Sequence, residues 1–234
     1  MRNKQFNAWS YSRLRDYCEC PFKAKLKYLD KISEPPNPAM QRGLDIHKLA
    51  EDYIKGSIAR LPKELKNFEA LFKQLKAQFK KKVHGMTIEE TWAFTKDWNL
   101  TVWNDWAGCA LRIKVDAAYY QDDGVFIVTD WKTGKNDARF KETYEEQIEL
   151  FALGALLVHD VKIVRPQLAY LDTGEIFSEV EYTPKDIPAL KKKWDKKSKP
   201  MLNDVRFAPR ANDRCCWCFY RKSNAANGGG QCKF

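Results

Sequence analysis

The sequence lacks the features that mark membrane and secreted proteins. No apolar run approaches the roughly 20 residues that span a bilayer, and the N-terminal segment has no apolar core of a signal peptide. Internal repeats and low-complexity tracts are also absent. These absences predict a soluble cytoplasmic protein without membrane contact, in which cysteines stay reduced and bind metals rather than form disulfides.

Histidine is scarce, whereas basic and aromatic residues are abundant. The chain has 3 histidines in 234 residues, 13% aromatic residues, and 41 lysines and arginines against 31 acids, a net charge of +10. That balance suits a polyanion such as nucleic acid, although many basic proteins bind none. With 44% hydrophobic residues, the chain can form one sizeable α/β domain but is short for two.

Two predicted strands carry the most distinctive polar residues. Residues 125–129 are apolar, β-branched or aromatic, follow a Gln-Asp-Asp-Gly turn, and lead into Asp130-Trp131-Lys132. Residues two apart share a face of a strand, so Asp130 and Lys132 point the same way. Residues 110–120 predict the preceding strand, and a hairpin would bring its Asp116 near Asp130. Two acids and a lysine together can bind a divalent cation and stabilise charge on a phosphate.

This pattern, Asp116 followed by Asp130-x-Lys132-Thr133-Gly134, resembles the core of the PD-(D/E)XK nuclease superfamily, and within it the RecB-like branch. An acid-x-lysine triplet alone is most often a surface ion pair. The resemblance implies an α/β fold with a three-layer, restriction-endonuclease-like core, in which a mixed central sheet is flanked by helices. It predicts one nuclease domain over residues 1–234, with a helical segment (1–85), a catalytic core (86–183), and a C-terminal helix and cysteine cluster (184–234).

Two predicted helices extend the resemblance. Residues 43–58 predict an amphipathic helix, and Gly43-x-x-x-His47 matches the RecB-like helix whose histidine binds metal. A histidine beside an apolar stripe is otherwise more often a hydrogen-bonded core residue. The helix predicted over residues 143–158 carries Gln147, where the branch has a glutamine followed four residues later by an aromatic residue, usually tyrosine. Phe151 stands there, which keeps the ring but lacks the hydroxyl.

The resemblance implies metal-dependent hydrolysis of DNA. The implied ligands of Mg²⁺ or Mn²⁺ are His47, Asp116, Asp130 and the main-chain carbonyl of Trp131. Lys132 would orient the attacking water or neutralise charge in the transition state, and Gln147 would position nucleophile or substrate. The catalytic residues are thus expected to be Asp116, Asp130, Lys132 and Gln147. By analogy, exonuclease activity is expected over endonuclease activity.

The C-terminal region predicts a second metal site. Four of the seven cysteines are Cys215, Cys216, Cys218 and Cys232, and the spacing Cys215-x-x-Cys218 fits two ligands of one metal. RecB-like enzymes with a cluster carry a fourth cysteine in Ser-x-Leu-x-x-Tyr-x-x-Cys-Pro near the N-terminus, which residues 12–21 match. The resemblance implies a 4Fe–4S cluster that joins the two ends of the chain. Its expected ligands are Cys20, Cys215, Cys218 and Cys232.

Three points about this cysteine site stay open. Four thiolates satisfy a structural Zn²⁺ as well as an iron–sulfur cluster. Cys18 and Cys216 are left over. Cys232 follows a longer spacer than the branch usually has, and the glycine-rich residues 223–230 within it are predicted to be flexible.

The remaining elements follow from periodicity and turn signals. Helices are predicted over residues 8–29, with an interruption at Cys20-Pro21, over residues 64–82, and after Thr183-Pro184. Strands are predicted over residues 87–96, 100–106, 162–171 and 175–182. Most aromatic residues of the first two are expected in the core; these are Trp92, Phe94, Trp98, Trp103 and Trp106. His159 is expected to favour a cation at its helix end.

DNA, as single strands or duplex ends, is the expected partner. The short chain is similar to small phage and CRISPR-adaptation members of the branch, in DNA processing or recombination. One alternative, which keeps the basic surface and the cysteines, is a metal-stapled nucleic-acid-binding subunit without independent cleavage. Another is a structural subunit of a recombination complex, which would not cleave without a partner. Cleavage polarity and assembly into a homo-oligomer stay open.

Overall fold

A mixed six-stranded sheet forms the centre of the computed structural model, which describes residues 5–178 and 180–234. The strands lie in the order β2-β1-β3-β4-β5-β6. Only β4 and β5 run parallel, and each other pair of neighbours is antiparallel. The strands are β1 (Thr87–Phe94), β2 (Leu100–Thr101), β3 (Leu111–Tyr120), β4 (Phe126–Lys132), β5 (Val164–Tyr170) and β6 (Glu175–Phe177).

Helices cover both faces of the sheet. They are α1 (Tyr11–Glu19), α2 (Pro21–Ala24), α3 (Pro38–Lys55), α4 (Glu69–Lys80), α5 (Lys141–Val158) and α6 (Ile187–Asn203). Residues of α1, α5 and α6 pack on one face in what we call the α5 core, which contains Trp92, Leu150 and Trp194. Residues of α3 and α4 pack on the other in the α3 core, which contains Phe72 and Trp131. This three-layer arrangement confirms the predicted fold class.

Helix α3 begins five residues before its predicted start. The Asn37 side chain accepts a hydrogen bond from the Met40 amide at 2.9 Å, and Pro38 occupies the first helical turn. A side-chain cap followed by proline is a strong start signal. The helix ends at Gly56, whose φ of 89° is readily adopted only by glycine. No helix in the described ranges has the length and apolarity to cross a membrane.

The strand predicted over residues 100–106 is wrong beyond Thr101. Asp105 accepts hydrogen bonds from the Thr101 hydroxyl at 2.7 Å and the Gly108 amide at 2.7 Å. These local bonds replace a strand ladder with a turn. The turn leaves Trp103 and Trp106 37% and 77% exposed, whereas Trp92, Phe94 and Trp98 are buried, so most aromatic residues of this region lie in the core as expected.

Two further expectations hold only in part. The strand predicted to reach residue 182 is regular only to Phe177, because Pro166 of β5 has no N–H to offer and its carbonyl accepts from the Ser178 hydroxyl at 2.9 Å. Residue 179 lies outside the described residues, and Tyr182 forms an isolated bridge to Val164. His159 lies at the end of α5 between the rings of Trp92 and Phe126, with centroids at 5.7 and 4.8 Å. Burial lowers its pKa against the opposing charge of Glu90, which disfavours the expected cation.

A buried carboxylate fixes α1 to the turns that follow it. Asp16 is buried and accepts hydrogen bonds from Lys27 Nζ at 2.8 Å and from the Tyr28 hydroxyl at 2.7 Å. Burial by itself raises the pKa of Asp16, but the bonds and charges of Lys27, Tyr28 and Lys23 outweigh it and hold the pKa below its ordinary value. Charge-assisted bonds to a buried group typically stabilise a fold by about 1.5–3 kcal/mol.

We therefore expect Asp16→Asn to lower the free energy of unfolding by about 2 kcal/mol at neutral pH, measured by urea denaturation. Because the pKa of Asp16 is lowered on folding, its contribution is complete above the unfolded pKa of about 4 and is lost as pH falls through the lower folded pKa. The difference in unfolding free energy between Asp16→Asn and wild type should shrink in that acidic window.

Asp122→Asn, in an exposed turn, is the matched control and should change the unfolding free energy by less than about 0.5 kcal/mol. Equal effects of both variants would contradict the stabilising role assigned to Asp16.

Candidate functional site

The candidate site lies where β3 and β4 separate. These strands pair as a hairpin only from Tyr120↔Phe126 to Ala117↔Thr129. The next pair in the same register would be Asp116 and Asp130, and the ladder ends before it. Further along, Trp9 takes the place beside β3 through a bridge to Leu111. The two acids therefore stand at the mouth of an opening between neighbouring strands.

Strand β3 changes face at this opening. Ile113 and Val115 pack in the α5 core, whereas Ala117, two residues further, packs in the α3 core. Residues two apart normally share a face, so the alternation shifts at Asp116.

The backbone of strand β1 is irregular opposite Asp116. Glu89, between the register pairs Ile88↔Ala117 and Glu90↔Val115, has a φ of 56°. A left-handed conformation is uncommon for a residue other than glycine, and such conformations cluster at functional sites.

An imidazole and two carboxylates meet at this shift. His47 of α3 places Nδ1 3.2 Å from Asp116 Oδ1. The other oxygen of Asp116 accepts a hydrogen bond from the Trp131 amide at 2.7 Å. Glu89 completes the group, since one ligand atom each from His47, Glu89 and Asp116 lies within 4.8 Å of the others. In the described part of the chain, no other three histidine, cysteine or acidic side chains come this close.

Asp130, Lys132 and Gln147 form a second, adjoining group. Lys132 Nζ lies 2.5 Å from Asp130 Oδ2 and donates to Gln147 Oε1 at 3.1 Å. Gln147 Nε2 donates to Asp130 Oδ1 at 3.1 Å, which closes the triangle. The short Lys132–Asp130 contact is an ion pair without hydrogen-bond alignment, so Asp130 Oδ2 is buried with no hydrogen-bond donor. Lys132 Nζ also lies 5.2 Å from the ring centroid of Tyr144.

The electrostatics of the site reflect crowded negative charge. Burial raises the pKa of Asp116, and the neighbouring Asp130 carboxylate raises it further, against the opposing effects of His47 and the Trp131 amide. Burial alone lowers the pKa of His47, but the bond to Asp116 and the charges of Asp116, Asp130 and Glu89 outweigh it and raise that pKa. A divalent cation would reverse this balance by favouring ionised acids and a neutral imidazole.

A turn on the far side of the site holds α3 in place. Arg42, one turn before His47, donates two hydrogen bonds to Asp172, at 2.9 and 2.7 Å. Asp172 Oδ2 also accepts from the Gly134 amide at 2.6 Å. The turn between β5 and β6, predicted only as a connection, thereby ties the histidine helix to the segment that follows Lys132.

The structure brings the predicted side chains into these two adjoining groups but places Glu89, not Asp130, in the tightest set. Asp130 is close enough for its charge to raise the pKa values of His47 and Asp116. Trp131 offers its amide to Asp116, while its indole packs on Phe72 with ring centroids 5.1 Å apart. Phe151, at the position of the expected tyrosine, is buried in the α5 core.

Sequence reasoning missed Glu89 and Tyr144. Glu89 had one signal, a pair of glutamates in a strand that is otherwise rich in apolar and aromatic residues. Its side chain could be assigned to the site only with the β1–β3 register, which the sequence does not supply. Tyr144 lies one turn before Gln147 on α5, and its aromatic ring lies beside Lys132. Tyr144, rather than Phe151, therefore supplies the aromatic contact to the lysine.

The cysteines predicted as cluster ligands line one cavity. These are Cys20, Cys215, Cys218 and Cys232. The Arg210 amide donates to Cys20 Sγ at 3.4 Å and the Asn212 amide to Cys215 Sγ at 3.3 Å, contacts that suit thiolate sulfur. The two leftover cysteines lie apart from this cavity. Cys18 lines a different one, and Cys216 Sγ donates to the Asp213 carbonyl at 3.0 Å.

The glycine-rich spacer is held by local hydrogen bonds and close backbone packing. Asn224 donates to the carbonyls of Cys218 and Phe219, both at 3.1 Å, within a 3₁₀ segment over Lys222–Asn227. The chain then packs so tightly that a Cβ at Gly229 would lie 2.1 Å from the Phe219 carbonyl oxygen. A backbone bond from Cys232 to Tyr220, at 2.8 Å, returns Cys232 to the other cysteines. The long spacer therefore closes a compact turn.

The profile of the PD-(D/E)XK nuclease superfamily matches residues 8–223. Among solved structures, SSO0001 is 15% identical with a TM-score of 0.48, over 93% of this chain and 85% of that chain. A protein from Eubacterium rectale, provisionally named an exonuclease, is 16% identical with a TM-score of 0.49, over 94% of this chain and 88% of that chain. No curated protein matches the chain. Because the family profile spans nearly the whole chain and includes both polar groups of the site, the protein belongs to the PD-(D/E)XK nuclease superfamily.

Proposed function

We propose that the protein is a divalent-metal-dependent deoxyribonuclease that removes nucleotides from DNA ends, as an exonuclease in DNA processing or recombination. The observation that carries the proposal is the convergence of His47, Glu89 and Asp116 beside Asp130 and Lys132 at the opening of the sheet. Membership of the superfamily supports a nuclease acting on DNA. The preference for ends follows the resemblance to the RecB-like branch.

The donor set fits Mg²⁺ or Mn²⁺. One imidazole nitrogen with several carboxylate oxygens suits these cations, and Mn²⁺ tolerates the nitrogen better. Asp130 adds a further carboxylate beside this group, with its Oδ2 buried and ion-paired with Lys132 at 2.5 Å. We propose His47, Glu89, Asp116 and Asp130 as the side chains that hold the cation, with the Trp131 carbonyl as an added ligand. A bound cation supplies a water of lowered pKa and polarises a phosphoryl oxygen.

The chain's own groups would orient the reaction. Lys132 pairs with Asp130 and donates to Gln147, where its ammonium can orient a water or offset the charge that develops on the phosphoryl group. Gln147 binds Lys132 through its oxygen and Asp130 through its nitrogen, so its amide fixes the separation of the two. Gln147 therefore acts as a positioning residue, consistent with a place on the rigid helix α5.

The direct test is incubation of the purified protein with end-labelled single- and double-stranded DNA in Mn²⁺ or in EDTA. We expect Mn²⁺-dependent cleavage that Lys132→Ala reduces by at least about 10²-fold, the usual effect of removing one charge-stabilising group. DNA affinity should stay within about twofold of wild type, because Lys132 is one of many cations. Lys135→Ala, three residues further in an exposed position, is the matched control and should cleave normally.

The form of the DNA separates the remaining possibilities. Closed circular DNA should not be cleaved if the enzyme acts only on ends. Cleavage of the circles to linear DNA would show that the activity is endonucleolytic.

Cleavage by Lys132→Ala at the wild-type rate would contradict the role assigned to the lysine. DNA binding without cleavage in Mn²⁺ or Mg²⁺ would favour the alternative function, a nucleic-acid-binding subunit without its own catalytic activity.

Glu89 gives a prediction that needs no turnover. Glu89→Gln keeps the shape of the side chain but removes a carboxylate from the tightest group, so we expect Mn²⁺ affinity to fall at least about tenfold by calorimetry. The rise in melting temperature that Mn²⁺ causes should shrink accordingly. Glu69→Gln, in an exposed ion pair with Lys73, is the control. Unchanged Mn²⁺ affinity in Glu89→Gln would exclude Glu89 as a ligand.

We further propose that Cys20, Cys215, Cys218 and Cys232 hold a structural 4Fe–4S cluster. Support comes from the shared cavity and from the basic side chains that line it, since a cluster bound by four thiolates is anionic; these are Lys23, Arg210, Arg214 and Arg221. An iron–sulfur cluster is proposed over Zn²⁺ because one ligand lies near the N-terminus and three lie near the C-terminus, the division that the RecB-like resemblance implies for its cluster.

The proposed cluster predicts a linked loss of colour and stability. A link between Cys20 and Cys215 closes a loop of about 195 residues, and constraining a loop of that size contributes roughly 5 kcal/mol in the chain-entropy treatment. Cys20→Ala should therefore lose iron, sulfide and brown colour, and should unfold at lower urea. Cys18→Ala, two residues away and outside the cavity, should retain all of these. Stoichiometric zinc in place of iron would assign the site to zinc.

A further inference from the structure

A second polar surface lies beside the N-terminal end of β3, before the carboxylates of the candidate site along the strand. A groove with a volume of about 690 Å³ is lined by three cations, Arg13, Lys31 and Arg112, and by Trp106 and Tyr28. No acidic side chain is among its described lining residues. Its volume lies in the range of pockets that hold a ligand. A groove that collects cations without acids is suited to an anion.

The two arginines of the groove are held but not neutralised. Arg13 donates to the Ala8 carbonyl at 3.3 Å and lies over the Tyr28 ring at 5.3 Å. Arg112 donates through Nε to the Trp103 carbonyl at 3.1 Å. In the described part of the chain, neither forms an ion pair. Burial lowers the pKa of Arg13, and the neighbouring charge of Arg112 lowers it further, so the two cations lie close enough to repel each other.

The exposed tryptophans are presented by a fixed loop. Arg112 lies 5.6 Å from the Trp103 ring centroid and 5.1 Å from that of Trp106, so one guanidinium contacts both rings. Asp105, the nearest acid, is occupied by Thr101 and by the amides of the turn. A Cβ at Gly108 would lie 2.4 Å from Asp105 Oδ2, so a side chain there would displace the carboxylate that accepts the hydrogen bonds of the turn. A largely exposed indole on a hydrogen-bonded turn, beside cations, is the arrangement that stacks on nucleic-acid bases.

The groove is aligned with the candidate active site. Leu111, Ile113 and Val115 face the α5 core, so the alternate residues Arg112, Lys114 and Asp116 share the other face of β3. Four residues of strand separate Arg112 from Asp116 by about 13 Å. Lys114 lies between them and is ion-paired with Glu89 of the carboxylate group. The row of side chains thus leads from the groove to the acids.

We propose that the groove binds a single-stranded segment of DNA, with phosphates on Arg13, Arg112 and Lys31 and a base stacked on Trp106, and that it feeds or receives the strand cut at Asp116. The choice of DNA rests on the proposed nuclease function. The observations favour nucleic acid over a protein partner, because an anionic strand satisfies both the unneutralised cations and the exposed ring.

The test is the affinity of the full-length protein for a fluorescent oligo(dT), measured by anisotropy in EDTA so that nothing is cleaved. Trp106→Ala should weaken binding by about tenfold or more, as expected when one stacked base is lost, and Trp106→Phe should retain most of the affinity. Arg112→Gln should reduce the slope of log affinity against log salt by about 0.7, and Arg112→Lys should restore it.

Matched controls separate this surface from general charge and apolarity. Ile176→Ala removes an exposed apolar side chain of β6, and Lys66→Gln removes one exposed cation; both should bind as wild type does. Wild-type affinity in both Trp106→Ala and Arg112→Gln would overturn the proposal. A change in sedimentation of Trp106→Ala with unchanged DNA affinity would assign the loop to self-association and would also overturn it.

The binding assay and the cleavage assay fail independently. If Trp106→Ala loses oligo(dT) binding but the wild type does not cleave DNA, the proposed binding groove is supported and the proposed nuclease activity is contradicted. If the wild type cleaves DNA in a metal-dependent way but Trp106→Ala and Arg112→Gln leave the oligo(dT) affinity unchanged, the nuclease activity is supported and the binding groove is contradicted.

Discussion

The repulsion between two buried carboxylates is the constraint on which the rest of the site depends. Asp116 and Asp130 are 7% and 8% exposed and stand opposite each other where β3 and β4 part. Two ionised acids so close and so dry are costly unless cations share their charge. A continuous β-ladder would have no room for such a cation, so the separation of the strands is a condition for the chemistry.

Each acid is supported from a different layer of the fold. Asp116 is bonded to His47, which α3 supplies from one side of the sheet, and Asp130 to Gln147, which α5 supplies from the other. Lys132 brings positive charge from the end of β4 itself. A cation at the opening would therefore contact groups whose separations are set by packing of both helix layers against the sheet. The three-layer fold serves the site by this means, and Asp172 reinforces it by tying α3 to the loop after β4.

The sequence predicts those parts of the site that depend on local rules. Alternation along a strand puts Asp130 and Lys132 together, a short turn pairs β3 with β4, and the resemblance supplies His47 and Gln147. Glu89 escapes this reasoning, because its position depends on the β1–β3 register across an irregular connection and on a left-handed backbone. The exposure of Trp106 escapes it as well.

Competition between local hydrogen bonds and ladder hydrogen bonds explains why the loop that carries Trp106 departs from its predicted strand. Asp105 can lie in a strand or accept hydrogen bonds from the amides of a turn, and its identity alone does not decide between them. The turn before Cys232 likewise depends on specific contacts that composition does not give: Asn224 donates to the Cys218 carbonyl, and Gly229 approaches the Phe219 carbonyl closely.

Helix α1 connects the groove, the buried Asp16 carboxylate and the cysteine cavity. Its nine residues span about 14 Å. Ahead of its first turn, Trp9 bridges to β3, and that turn carries Arg13 of the groove. Asp16 anchors its middle, and Cys20 follows its last residue in the cysteine cavity. Cross-linking Cys20 to the C-terminal cysteines would fix one end of a rigid rod whose other end is fixed to β3. A cluster there would set the position of the groove relative to the carboxylates by mechanical restraint, so its role requires no electron transfer.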